Sequence, residues 1–425
     1  MRQRLAIRSL GVGVAVLVVT LVAACAPRPA MMTTSVPAGE SYDPPGSTIT
    51  TGRAITLQER RTITDPESGV SISNDFPAAR LDGFERTGPG TFRLLFRPEN
   101  APINKSAWYA FKIQAPTPRR VTLELTYEDG EHRYVPKLSR DGVSWTVVDT
   151  TAYHHDVEAK TARLTLDVGP DPLIVAGQEM TPSSWFDDWT GSMVELAGAE
   201  RRDVGVSLHG RPIGMVSFGN TENPAGVVLV IGRQHPPEVT GTLALVKFVE
   251  TLLADDSLAA AFRAQYRTVL IPLMNPDGVD EGHWRHNAGG VDLNRDWLHF
   301  NQPEVRVVRD AFLAEVERYG APVVFAADFH STQEDIFYTH TPDFDTNRGD
   351  LIDRWLQAIS AAVPEYEVLE EAGGLESPVS KNWFYTAFHA PSVIYEVGDE
   401  QDRALIDRVA VESARAMMRL VLDGK

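Results

Sequence analysis

The chain has 425 residues, 43% of them hydrophobic and 23% charged, the balance of a globular protein but too long for one ordinary core, so two folded bodies with extensions are expected. Its formal charge of -18, from 58 acidic against 40 basic residues, repels nucleic acid and anionic lipid at long range and excludes both as partners of the general surface. With a single cysteine, an intramolecular disulfide is excluded as well.

In chain order, Arg2, Arg4 and Arg8 precede the apolar run LGVGVAVLVVTLVAA. That run is too short and wrongly flanked for a membrane span and reads as an export signal. It closes on Val22-Ala23-Ala24-Cys25, which resembles the lipobox of bacterial lipoproteins. The expectation is a signal peptide over 1–25, lipid modification of Cys25, and attachment to the membrane by that lipid anchor only. Ala26, standing where an aspartate would redirect the protein, makes the periplasmic face of the outer membrane the expected address. Residues 26–53, rich in Pro, Ser, Thr and Gly, read as a flexible tether.

Over 54–203 the texture is short β-rich runs broken by turn signals: TFRLLFRP, SAWYAFKIQ, RRVTLELTYEDG, WTVVDTTAYHH and TARLTLDV. Alternation at this spacing predicts an antiparallel β-sandwich. Trp108 and Tyr109 are expected in its core, and no cluster of metal-ligating or catalytic residues is visible there. From 204 to 425 strands alternate with amphipathic helices: GVVLVIG, EVTGTLALVKFVETLLA, YRTVLIPLMNP, EVRVVRDAFLAEVERYG, PVVFAADFH and SVIYEVG. Near-continuous apolar strands separated by helices predict an α/β body with a mixed or parallel central sheet covered on both faces. Ligands gather at the carboxyl ends of such strands.

Polar clusters fall at those ends. His235-Pro236-Pro237-Glu238 follows GVVLVIG, and its prolines stiffen the corner that carries the two side chains. Asn275, Asp277 and HWRHNAGGVDLNRDW follow the next strand, His330 ends PVVFAADFH, and Glu396 lies within SVIYEVG. A catalytic zinc site wants three N or O ligands and an open position. His235, Glu238 and His330 would supply that set and hold one Zn²⁺ per chain, leaving Glu396 as the base. His283, His286 and His299 lack ligand spacing and read as polar loop residues. Other residues have plain structural readings beside the chemical ones: Asn294 or Asp296 as a helix cap, Arg295 in a surface ion pair, Arg285 as a solvated arginine.

The ordered set HPPE, NPDG, GVDLNRDW, the histidine of VVFAADFH and the glutamate of IYEVG resembles the zinc metallocarboxypeptidase family from Val206 onward. The β-rich region ahead of it, with GTFRLLFRPENAPINKSAWYAFKI, is similar to the N-terminal β-sandwich of the cytosolic-carboxypeptidase subfamily. The resemblance implies that His235, Glu238 and His330 bind zinc and that Glu396 is general base and acid. It implies that Arg285 polarises the scissile carbonyl, that Asn294 and Arg295 grip the substrate's terminal carboxylate, and that Asp292 orients a zinc histidine. Lys381 corresponds to the family position that helps set specificity. There it would pair with an acidic terminal side chain, the alternative being that it runs out to solvent. Gly373-Gly374 stands where many members have a substrate-closing tyrosine.

The expected activity is hydrolysis of the C-terminal peptide bond of peptides, including peptidoglycan stem peptides and glutamyl-type linkages. Two rivals are a zinc amide hydrolase of N-acyl amino acids and a non-catalytic binding lipoprotein.

Overall fold

Alternation in the first half and unbroken apolar runs in the second produce two different kinds of sheet. The computed structural model describes residues 46–197 and 199–424; the export signal, Cys25 and the tether up to residue 45 lie outside the described residues. Everything described belongs to one compact unit, Pro37–Lys425. Among these residues no helix is long and apolar enough to cross a membrane.

Eleven strands come first: β1 (Thr62–Thr64), β2 (Ser71–Ser73), β3 (Gly83–Gly88), β4 (Thr91–Phe96), β5 (Ala110–Gln114), β6 (Arg119–Tyr127), β7 (Lys137–Ser139), β8 (Thr146–Val147), β9 (Tyr153–Asp156), β10 (Thr161–Val168) and β11 (Leu173–Ala176). They form a six-stranded sheet, β1-β2-β5-β11-β7-β8, and a five-stranded one, β3-β4-β6-β10-β9. In β10 every second residue is buried, as a strand with one face in a core requires. Pairing is antiparallel except between β4 and β6, which run parallel, so the sandwich is not wholly antiparallel as expected. Trp108 and Tyr109 are buried in its core, where their polar ends bond the carbonyls of Ala78 and Tyr134.

Helix α1 (Ser183–Ala197) leads to β12 (Glu200–Val206) and β13 (Pro212–Gly219). The expected boundary at 203/204 falls inside β12, which pairs with β13 and so belongs to the second sheet. The chain continues through β14 (Gly226–Gly232), α2 (Val239–Leu252), α3 (Ser257–Gln265), β15 (Tyr266–Ile271), α4 (Pro276–Glu281), α5 (Pro303–Tyr319), β16 (Val323–Thr332), β17 (Ile336–His340), α6 (Leu351–Ala362), β18 (Glu370–Gly373), α7 (Ser380–Phe388), β19 (Ser392–Gly398) and α8 (Arg403–Leu422).

The eight-stranded sheet has the order β12-β13-β15-β14-β16-β19-β17-β18. Its centre, β15-β14-β16-β19, is parallel, and antiparallel pairs flank it. Strand β14 shows why it is apolar throughout: Val228 and Val230 enter one core, while Val227, Leu229 and Ile231 enter the core on the opposite face. Helices α2 and α8 cover the first face, α5 and α7 the second.

One helix approaches the sheet unusually closely. A Cβ on Gly241 would lie 2.2 Å from the His330 carbonyl oxygen, so α2 rests on the backbone of β16 where no side chain fits. Gly241→Ala is expected to force the two apart and cost about 1–3 kcal/mol. It should also weaken zinc binding, because Glu238 lies just before α2 and His330 lies in β16. Thermal melting and a zinc titration check this, and an unchanged melting point would show slack at the contact.

Candidate metal centre

Strand β14 is followed by Arg233, whose backbone turns through the left-handed region at φ 53°, and the chain swings at once into His235-Pro236-Pro237-Glu238. Glu238 occupies the N-cap position of α2 but makes no capping bond, forgoing about 1 kcal/mol. Its carboxylate goes to the histidines instead: Oε1 lies 2.7 Å from His235 Nδ1, and Oε2 lies 2.7 Å from His330 Nδ1. The two Nδ1 atoms are 3.2 Å apart. All three side chains are buried, and they form a candidate metal-binding group.

The opposite ring nitrogens are both committed. His235 Nε2 lies 2.8 Å from Asp292 Oδ1, and His330 Nε2 lies 2.8 Å from Asp328 Oδ2. An ionised carboxylate only accepts, so each Nε2 gives its proton to an aspartate, while each Nδ1 faces Glu238, where a metal ion would take the place of a proton. Two inward ring nitrogens and a carboxylate meeting in a buried space form a donor set that a cation can join. Donors on a tetrahedral zinc with bonds of ~2.0 Å stand about 3.3 Å apart, close to the spacing here, and the donor set fits zinc. The electrostatics follow from the same close pairing of the carboxylate with the two rings. Burial opposes it, but the two imidazoles hold Glu238 well below the usual carboxylate range. Burial likewise opposes Asp328 and Glu238, which together keep His330 well above its ordinary value.

Glu396 is reached through strand pairing. In the parallel β16/β19 pair it stands opposite His330, which places the two residues side by side on neighbouring strands. Its Oε2 is shut off from solvent without a hydrogen-bond partner. Burial, with the Glu238 charge adding to it, pushes its carboxyl up to about 7.

Arg285 donates from Nε to Asp292 Oδ2 at 2.7 Å and lies 3.7 Å from Glu238. Asp292 therefore bridges His235 and Arg285, and it is held well below its ordinary pKa because Arg285 and His235 outweigh the cost of burial. Asn294 and Arg295 sit in a 3-10 turn, Leu293–Arg295, whose cap is Asp292 rather than Asn294 or Asp296. The Asn294 amide lies 3.4 Å from His330 Nε2 and accepts from the Ser380 backbone at 3.0 Å. Arg295 is half-buried and donates to the Asn294 carbonyl.

Lys381 does not reach solvent. It is 4% exposed and donates to the Thr339 carbonyl at 2.9 Å, and burial lowers its ammonium to about 8 against the pull of Glu376.

Several motifs have a structural role. In NPDG, Asn275 caps α4 and Asp277 binds Ser207, His209 and Arg211 of the β12–β13 hairpin. His283 and His286 lie outside helices and strands, as expected, and are buried. Residues 46–53, expected to be tether, include a bonded stretch: Arg53 N donates to Gly289 O, and Gln302 donates to Thr50 O.

Two site residues escape a reading of the sequence. Asp328 stands two positions before His330, and the period of a strand puts both on one face; that Asp-x-His spacing was the available signal. Gln234 holds Asp328 at 2.6 Å and accepts from Trp297, with no motif to announce it.

A mixed sheet flanked by helices, with a His-Glu-His triangle at its edge and a carboxylate beside it, defines a zinc-dependent metallocarboxypeptidase. Residues 198–407 match the family model described as zinc carboxypeptidase. Among its relatives, an uncharacterized protein of Zymomonas mobilis is 26% identical over 61% of this chain and 69% of its own. Human cytosolic carboxypeptidase 4 is 30% identical over 43% of this chain, a match spanning only 16% of the human protein. Among solved structures, a metallo-carboxypeptidase from Burkholderia cenocepacia has a TM-score of 0.70 at 23% identity, covering 83% of this chain and 98% of that one. The metallo-carboxypeptidase from Pseudomonas aeruginosa in complex with (2-guanidinoethylmercapto)succinic acid has a TM-score of 0.69 at 21% identity, covering 83% and 100%. These two structures share the fold.

Proposed function

We propose that the chain is a zinc carboxypeptidase that hydrolyses the C-terminal peptide bond of peptides with an acidic last residue, among them peptidoglycan stem peptides, and that it is lipid-anchored through Cys25 at the periplasmic face of the outer membrane. The observation that carries the activity is the register of β16 and β19, which sets Glu396 opposite His330 beside the converging ligand atoms. His235, Glu238 and His330 would hold zinc, which when bound supplies a Lewis acid for the carbonyl and for water.

The remaining work falls to the chain's own groups. Glu396 takes the proton of the attacking water and returns it to the leaving amine. Arg285, steadied by Asp292, faces the charge that develops on the carbonyl oxygen, a kind of contact worth about 3 kcal/mol. Asn294 and Arg295 grip the terminal carboxylate, Arg295 by its planar fork.

The acidic preference rests on Lys381. Helix α7 begins at Ser380, which bonds both Asn294 and Asp328, so its first turn lies against the proposed carboxylate clamp. A buried ammonium there favours an anionic partner over an apolar one.

A panel of peptides differing only in the last residue, with and without chelator, tests the reading. Asp- and Glu-ended peptides should be released fastest, and Lys381→Ala should remove that advantage. Equal or faster release of apolar and basic ends would overturn the specificity. No release from any peptide would overturn exopeptidase activity.

A further inference from the structure

The sandwich reaches the catalytic loop through one carboxylate. Glu99 lies three residues beyond the end of β4 and is 0% exposed. Its two oxygens accept from three successive backbone amides: Trp284 at 2.8 Å, Arg285 at 3.1 Å and His286 at 2.6 Å. Consecutive amides aimed at one point make a concavity that holds an anion, and here the protein fills it with its own. Asn100 adds two contacts, to His286 Nδ1 at 2.7 Å and to Gly290 O at 3.1 Å.

The residue before Arg285 is fixed from the same side. The Trp284 ring is part of the sandwich core and presses so closely on Gly130 that a Cβ there would lie 2.4 Å from the indole. Arg285 is thus gripped twice, by its backbone amide from Glu99 and by its guanidinium from Asp292. An arginine left to itself spends about 2 kcal/mol of rotamer entropy to hold one pose, and fixing its Cα and its Nε separately removes most of that freedom beforehand.

We propose that Glu99 is a positioning residue for Arg285, which makes the sandwich a working part of the catalytic site. This rests on the role given above to Arg285. A carboxylate that merely tied the two bodies together would have no reason to bond the amide of the one loop residue whose guanidinium lies 3.7 Å from a zinc ligand. Burying an ionised group is costly unless it is fully hydrogen-bonded, and three amides meet that requirement.

The test is Glu99→Gln, which sets an NH₂ group against amides that need an acceptor. Expected are faster hydrogen exchange at amides 284–286, unchanged zinc per chain, a fall in kcat of about 30-fold and a KM within about threefold of the parent. In an Arg285→Ala background the same change should cost less than about threefold, since the residue it acts through is gone. An equal loss in both backgrounds, loss of zinc, or unchanged exchange would overturn the proposal. Should Glu99→Gln not fold, Glu99→Asp carries the same readouts with the charge kept and withdrawn by one methylene. A wild-type protein that cleaves no peptide would count against the proposed function, while the exchange result would still decide whether Glu99 holds the Arg285 amides.

Discussion

Glu396→Gln is expected to keep its zinc and lose about 1,000-fold or more in kcat, the range attributed to a well-placed general base. The geometry separates the two properties. Glu396 belongs to β19, while the ligand atoms come from the loop before α2 and from β16, so an isosteric amide disturbs none of them. Metal content and turnover measured on one preparation check this. Loss of metal would mean that Glu396 is a ligand.

The same carboxyl is expected to set the acid limb of activity. Burial and the Glu238 charge push it up to about 7. Because a base works only when deprotonated, rate is lost as pH falls through its pKa, and bound zinc, being positive, moves that limb below 7. Stability runs the other way. A raised carboxyl binds its proton more readily in the folded state, so Glu396 costs stability as pH rises from its ordinary 4.5 through 7. Metal-free Glu396→Gln should therefore melt above metal-free wild type at pH 8, and the gap should close near pH 4.

The second large effect is at His330. Its removal takes away one of the three donors and leaves Asp328, already held by Gln234 and Ser380, without the imidazole that shields it. His330→Ala is expected to lose zinc and all measurable turnover. It should also lose the stabilisation that zinc confers on the wild type, about 4 kcal/mol at a thousandfold excess over Kd. Melting with and without added zinc reads this directly: a clear upward shift for wild type and none for the variant.

The candidate ligands and the place of Glu396 beside them were legible because each motif is local, a short run in or after a strand, and the parallel centre of the sheet brings strand ends together as a matter of topology. Asp292 was expected through the family resemblance alone, and it lies 2.8 Å from His235 Nε2. Glu99 was not legible, since its partners lie 185 to 187 positions away and backbone amides carry no sequence signature. The edge of the second sheet was also missed. Strand β12, ERRDVGV, is largely exposed and lacks the alternation by which a strand announces itself, so the sequence does not show that the sandwich has its last strand at Ala176. The sequence leaves Lys381 two destinations, and packing at the start of α7 selects the buried one.

All of these readings depend on His235, Glu238 and His330 holding one ion together. The most direct measurement is metal per chain by elemental analysis, on wild type and His330→Ala purified side by side and dialysed against zinc. The expected result is one zinc per wild-type chain and none in the variant. A wild-type chain without zinc, or a variant that keeps a full equivalent, would contradict it.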